Sequence, residues 1–347
     1  MKKLKKNKKL KKIILNLMLL GAIGSSLLFV SPLQAQTENE NIPTLVSNAE
    51  ADENVTAMDL GIKEPKMFSN NFFYSLKEAW NSIDMALTFN PTKKAEKQMK
   101  RASEKLIEAK KLIEEKDQPE RANKALQKYE QQMSRFQETV KKIKQKGEAN
   151  IEKLTDRIVD NSWQHQNLIN ALEKKIGPQY FQEVEQAREQ SLQAASAVIE
   201  KFIPKEKMEE KMESLLKKQK GSEFKDLQNL QNLKSIEGKI NSEKKEKIQA
   251  VQEKVSKELF EKMKTMNQEK KSEVESYLKE IGGNELQKLK IIEEISQENN
   301  WINSDRIKGE IVEKAGQKIE SLSEENQKDY LKNLSQNSCF SDRHYLQ

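Results

Sequence analysis

The sequence is 347 residues long, 34% charged and only 6% aromatic, which argues against one large globular core and for layers of helices that each bury one stripe. Its formal charge is +7, yet Met1 to Lys12 alone holds eight lysines and no acid, and subtracting those eight leaves −1 for the rest. A basic surface for a nucleic-acid partner is therefore excluded beyond that segment, and a single cysteine, Cys339, excludes an internal disulfide framework.

An apolar run over residues 13–30 follows the lysines, interrupted by Asn16, Gly21, Gly24, Ser25 and Ser26. Ser31-Pro32-Leu33-Gln34-Ala35 then closes on a small residue. A positive start, an apolar middle and a small residue at the end describe a secretory leader over 1–35, cut between Ala35 and Gln36. The run is also close to the ~20 residues that span a bilayer, so an uncleaved membrane anchor is the alternative outcome. Either outcome places the rest of the chain outside the cytoplasm, secreted or associated with the cell envelope.

Residues 36–70 are acid-rich, contain Pro43 and Pro65, and show no helical period, which reads as a flexible spacer. From residue 71 onward every long segment has a helical period. A short helix over 74–87 ends at Thr88-Phe89-Asn90-Pro91, where Asn90 caps the next helix and Pro91 enters its first turn. Ala95, Met99, Ala102, Leu106, Ala109 and Ile113 then alternate four and three apart. After Lys116-Asp117-Gln118-Pro119, the residues Ala122, Leu126, Tyr129, Met133, Phe136, Val140 and Ile143 repeat that alternation. Two helices of ~20 residues with matching seams and a short turn predict an antiparallel coiled-coil hairpin over 71–146. Further helices over 147–221 pack on it, including an Ala-rich one near 179–202. The remaining 222–347 form a long-helix region, with one helix expected over 242–281, roughly 60 Å at 1.5 Å per residue. Gly282-Gly283 ends it. The fold class is thus all-α, an elongated array of antiparallel helices.

Residues that could carry chemistry are few. Cys339 and His344 lie five apart in a polar tail without a third group, which does not make a nucleophilic site. His165, Cys339 and His344 are too scattered for zinc. Met208/Met212 and Met263/Met266 have the spacing of a soft-metal site, but methionine so placed is ordinarily core filler. His165 falls on the apolar seam of its helix and has two readings: a pH-sensitive position, or a hydrogen-bonded residue that fixes register. No catalytic, cofactor-binding or metal-ligating residues are expected, and no enzyme. Aromatic residues concentrate instead at Phe68, Phe72, Phe73, Tyr74, Trp80 and Phe89. This cluster either caps the hairpin or, through Phe72, Phe73, Tyr74, Trp80 and Phe89, binds a partner or a membrane interface.

The same stretch carries a resemblance. Phe73-Tyr74-Ser75-Leu76-Lys77, Thr88-Phe89-Asn90-Pro91-Thr92-Lys93-Lys94-Ala95-Glu96, Glu104-Lys105-Leu106-Ile107-Glu108-Ala109 and Tyr129-Glu130 resemble a domain of unknown function found in exported bacterial proteins. The likeness is best over 65–143 and extends more loosely to about 202. Asn90 stands where the family has Asp, Asn71 where it often has Pro, and Lys105 where it usually has Arg. The resemblance implies an exported helical hairpin and carries over no functional residues, because the family has no assigned activity.

These readings together describe an exported structural or interaction protein that presents helical surfaces to a protein or cell-envelope partner. An extracytoplasmic chaperone or stress sensor is one alternative and a membrane-surface binder another. The membrane is expected to be met only through the N-terminal segment. A homo-oligomer is compatible with seven-residue seams, which can also be satisfied within one chain.

Overall fold

The computed structural model describes residues 53–65, 72–144, 151–219, 221–283, 285–299, 301–324 and 327–328. The expected leader with its cut at Ala35 and Gln36, the spacer as far as residue 52, Cys339 and His344 lie outside the described residues. Among those described, eleven α-helices and two single-turn 3-10 helices appear and no strand. The all-α expectation is met.

The helices are α1 (Phe72–Ala86), α2 (Pro91–Glu114), α3 (Pro119–Lys142), α4 (Ile151–Lys175), α5 (Phe181–Phe202), α6 (Met208–Lys218), α7 (Lys225–Glu237), α8 (Ser242–Lys264), α9 (Gln268–Glu280), α10 (Glu285–Glu298) and α11 (Ser304–Ser321). The expected hairpin is α2 and α3. Asn90 holds an extended conformation, its side chain accepts from the Lys93 N–H at 2.9 Å, and Pro91 opens α2. Between the two helices Asp117 adopts φ +49°, which a short polar residue tolerates. The Gln118 N–H reaches back to the Leu112 carbonyl at 2.8 Å and closes the turn.

A second antiparallel hairpin, α4 and α5, lies beside the first and completes a four-helix bundle. Arg157 pairs with Glu96 and Lys175 with Glu114, so α4 runs parallel to α2. Asn123 donates to Glu183 and Lys201 to the Val140 carbonyl, so α5 runs parallel to α3. The seam residues of both hairpins, among them Leu106, Leu126, Tyr129, Phe136, Leu168 and Ala194, are buried in one cluster. The Ala-rich face of α5 permits that approach: Ala187, Ala194 and Ala195 are inside.

α6, through Met208, Met212, Leu215 and Leu216, and the first half of α8, through Ile248 and Val251, add to this first cluster, whereas the second half of α8 and α9 to α11 form a second one around Phe224, Leu230, Leu259, Met263, Tyr277 and Ile292. α7 joins the two cores. Its Leu227 and Leu230 belong to the second cluster, its Leu233 and Ile236 to the first, and Gln228, Asn229, Gln231 and Asn232 are buried as well.

The single long helix expected over 242–281 is not formed. It is broken into α8 and α9 at Thr265-Met266-Asn267. The Thr265 hydroxyl donates to the Lys262 carbonyl, and Asn267 turns extended so that its side chain accepts from the Lys270 N–H at 2.9 Å. Local side-chain bonds here outcompete the helical ladder. The apolar spacing runs on through Met263 and Met266 without showing the break. α8, at 23 residues, is therefore about 35 Å long.

The flexible-spacer expectation also fails for residues 53–65. Val55, Ala57, Leu60 and Ile62 are buried in the first cluster. A turn at 57–61 brings them inward, with Gly61 at φ +64° and Asp59 accepting from both the Thr56 N–H and its hydroxyl. Lys110 donates to the Val55 carbonyl at 3.0 Å and Lys111 pairs with Glu64, fixing the segment along the end of α2.

Candidate interaction surface

α1 lies antiparallel to α2, and the contacts that its described side chains from residue 76 onward make with α2 are polar. Glu78 accepts from Lys105 at 3.1 Å and Asp84 from Lys97 at 2.6 Å. Arg101 donates to the Asn81 carbonyl, and Lys77 stands 3.8 Å from Glu104. The hydrogen bond from Lys97 keeps the Asp84 carboxyl below the usual carboxylate range. The Thr88 hydroxyl donates to the Asp84 carbonyl at 2.6 Å and ends the helix.

The opposite face of α1 is apolar and open. Leu76, Trp80, Ile83 and Leu87 are spaced four, three and four apart and so share one stripe. They are exposed by 51, 65, 50 and 66% respectively, and Phe89, just past the helix, by 87%. Ala79 and Ala86 are exposed between them. An amphipathic helix on a folded protein normally turns the apolar stripe inward; here the charged side is inward and the stripe faces solvent.

Of the aromatic residues singled out from the sequence, Phe72, Phe73 and Tyr74 form the first turn of α1. Trp80 lies on its open face and Phe89 at the corner leading to α2. Phe68 is outside the described residues. Trp80 and Phe89 do not cap the hairpin, because both are exposed.

His165 is fully buried where all four bundle helices meet. Its Nε2 is 2.9 Å from the Ser103 hydroxyl of α2 and its Nδ1 3.1 Å from the Tyr129 hydroxyl of α3, which also meets Ser191 of α5. Ser103 donates to the Met99 carbonyl at 3.1 Å. A neutral ring protonated at Nε2 then satisfies the set. Burial pushes the imidazole down to about 3 and the Tyr129 hydroxyl up. The ring therefore stays neutral at physiological pH and fixes register. Met208 and Met212 are buried in the first apolar cluster and Met263 in the second, against which Met266 is partly buried.

Two features of charge had no signal in the sequence. The first is a buried ionic junction where α4, α5, α10, α11 and residue 53 converge. Glu173 accepts from Arg188 at 2.6 Å, from Lys318, and from the Gly283 N–H at 3.1 Å. Lys318 also donates to Glu285. Glu53 pairs with Lys174 at 2.7 Å and accepts from the Gly282 N–H at 3.1 Å. Burial raises the Glu53 carboxyl against the pull of Lys174, and lowers Lys318 to about 7 even though two carboxylates accept from it. Gly282 must be glycine, since a Cβ there would sit 2.6 Å from that of Asn170. The second is Glu130, between α3 and α5. Burial and the neighbouring Glu183 charge push it up to about 7, and its Oε1 is buried without a hydrogen-bond partner. Long-range pairings of this kind cannot be read from a sequence in which Lys and Glu are everywhere.

Among the described residues no group of three or more His, Cys, Asp or Glu side chains could hold a metal ion. No described helix is long and apolar enough to cross a membrane. No curated protein and no solved structure matches the chain. Residues 66–179, from the approach to α1 through the end of α4 and into the turn before α5, match the family described as a domain of unknown function, DUF5667.

Proposed function

We propose that this chain is an exported, all-helical interaction protein that works by holding a partner against the outer face of α1 and carries no catalysis of its own. The carrying observation is the orientation of α1: four large apolar side chains on one stripe, with Phe89 beside them, are left in solvent while the helix's charges are spent on α2. Exposed apolar patches of this size on a folded protein mark interaction sites. Export rests on the lysine-rich, apolar and small-residue succession of residues 1–35 and on the resemblance of the hairpin to a domain of exported bacterial proteins. The structural role rests on where the titratable groups are spent, in register at His165 and in the junction around Glu173.

The test is hydroxyl-radical footprinting of Trp80 and Phe89 in the producing cell and in the purified protein, with exposed Met58 as the internal reference. Oxidation of Trp80 and Phe89 is expected to fall several-fold in the cell relative to Met58. Equal oxidation in both settings would show an unoccupied face and overturn the reading.

A further inference from the structure

The outer face of α1 has a chemistry that narrows its occupant. Its five large side chains offer on the order of 600 Å², at the upper end for the largest apolar patch of a monomer and below the ~800 Å² per partner of a standard protein interface. A lipid surface sets no such threshold, because an amphipathic helix binds it lengthwise with its apolar side chains in the headgroup boundary. The stripe mixes leucine and isoleucine with Trp80 and Phe89, the residue types that favour that boundary.

Charge points the same way. The only two acids of α1, Glu78 and Asp84, are neutralised by Lys105 and Lys97. The helix that α1 lies against is basic at its start: the first three turns of α2 carry Lys93, Lys94, Lys97, Lys100 and Arg101 against the single acid Glu96, with Lys97 already paired to Asp84. Lys93 and Lys100 are exposed and Lys94 and Lys97 partly so. An apolar stripe on a helix backed by exposed lysines is complementary to a bilayer with negative headgroups, and long lysine side chains reach headgroups while their stems lie along apolar surface. Resting on the reading of α1 as a docking face, we propose that its occupant is the anionic lipid surface of a membrane, with Trp80 and Phe89 inserted at the interface and the exposed Lys93 and Lys100 of α2 on the headgroups. This contact is separate from any made by residues 13–30.

The experiment uses the full chain in vesicles of phosphatidylglycerol or phosphatidylcholine carrying brominated acyl chains. Trp80 is read as the difference between the protein and Trp80→Phe, which removes the contributions of Trp163 and Trp301 and of any insertion by residues 13–30. Bromine quenching of Trp80 is expected to be several-fold stronger in the anionic vesicles, and to fall towards the neutral level in Lys93→Glu/Lys100→Glu, whose circular dichroism should be unchanged. Trp80 unquenched by bromine and as open to aqueous acrylamide as in free protein would overturn the proposal. Trp80 shielded from both quenchers would overturn it too, because a second copy of the chain would then cover the stripe, and the docking reading would stand. Failure of that reading is seen separately, as unprotected Trp80 in the cell.

Discussion

At the residue scale the decisive positions are polar groups taken out of water. His165 was legible as a seam position, and the structure supplies what the seam could not: the hydroxyls of Ser103 and Tyr129 on the ring nitrogens, with Ser191 behind Tyr129. A network this complete costs little, whereas a buried polar atom left unpaired costs roughly 1–3 kcal/mol. Glu130 is such an atom's owner. With a folded value of about 7 against an ordinary 4.5, its protonated form is preferred by the fold. The stability it contributes is fully present below about pH 4.5 and lost as pH rises through 7. Glu130→Gln, which keeps the shape and removes the charge, should therefore stabilise the protein at pH 8 by about 1 kcal/mol, after discounting for partial exposure, and leave it unchanged at pH 4. Urea denaturation at the two pH values checks this; a gain of the same size at both would point to packing instead.

At the scale of the element, periodicity told which residues share a face and was silent on which way the face turns. For α2, α3 and α4 that silence did no harm, because the apolar stripe was the only one able to supply a core. For α1 it mattered: four contacts from Lys77, Glu78, Asn81 and Asp84 set the helix down charged side first, and the sequence gives such pairings no mark. Periodicity failed again at Asn267. Four helices here start on an asparagine that accepts from the N–H three residues on, at Asn90, Asn241, Asn267 and Asn303. Only Asn90 was anticipated, because a proline follows it and no apolar stripe runs across it. The outward face of α1 makes a further expectation. Ile83→Ser should change the thermal stability of the purified protein by no more than about 0.5 kcal/mol, as for other exposed sites. A loss of 2 kcal/mol or more on thermal unfolding would mean that the stripe is packed.

At the scale of the molecule two apolar cores are connected by α7 and by the junction around Glu173. The hairpin, the second hairpin and the Ala-rich approach were visible in the chain because each depends on neighbours close in sequence. The junction was not, since Glu53, the Glu173–Arg188 pair and Lys318 come from three distant stretches and resemble every other charged residue around them. The same holds for residues 53–65, whose buried residues Val55, Ala57, Leu60 and Ile62 follow no helical or strand period. Breaking a buried pair on one side strands the opposite charge, at a cost of about 3–5 kcal/mol. Glu173→Ala would leave Arg188 to Glu185 and Lys318 to Glu285 alone, so it should cost less than a fully stranded charge and still lower the urea midpoint. It should also raise hydrogen exchange at Gly283 and through α11 before the four-helix bundle opens. Exchange rising first in α2 and α3 would place the weak point elsewhere.

The bond from the Gly282 N–H to Glu53 spans 229 residues of chain. A ribosome adding about 5–20 residues per second needs on the order of 10–50 s to make that stretch. During this interval the hairpins can zip from their own local partners, while the nascent Glu53 has no clasp to close. For a chain that folds as it is made, this separation divides assembly into two stages, with its earliest described residue locked among the last.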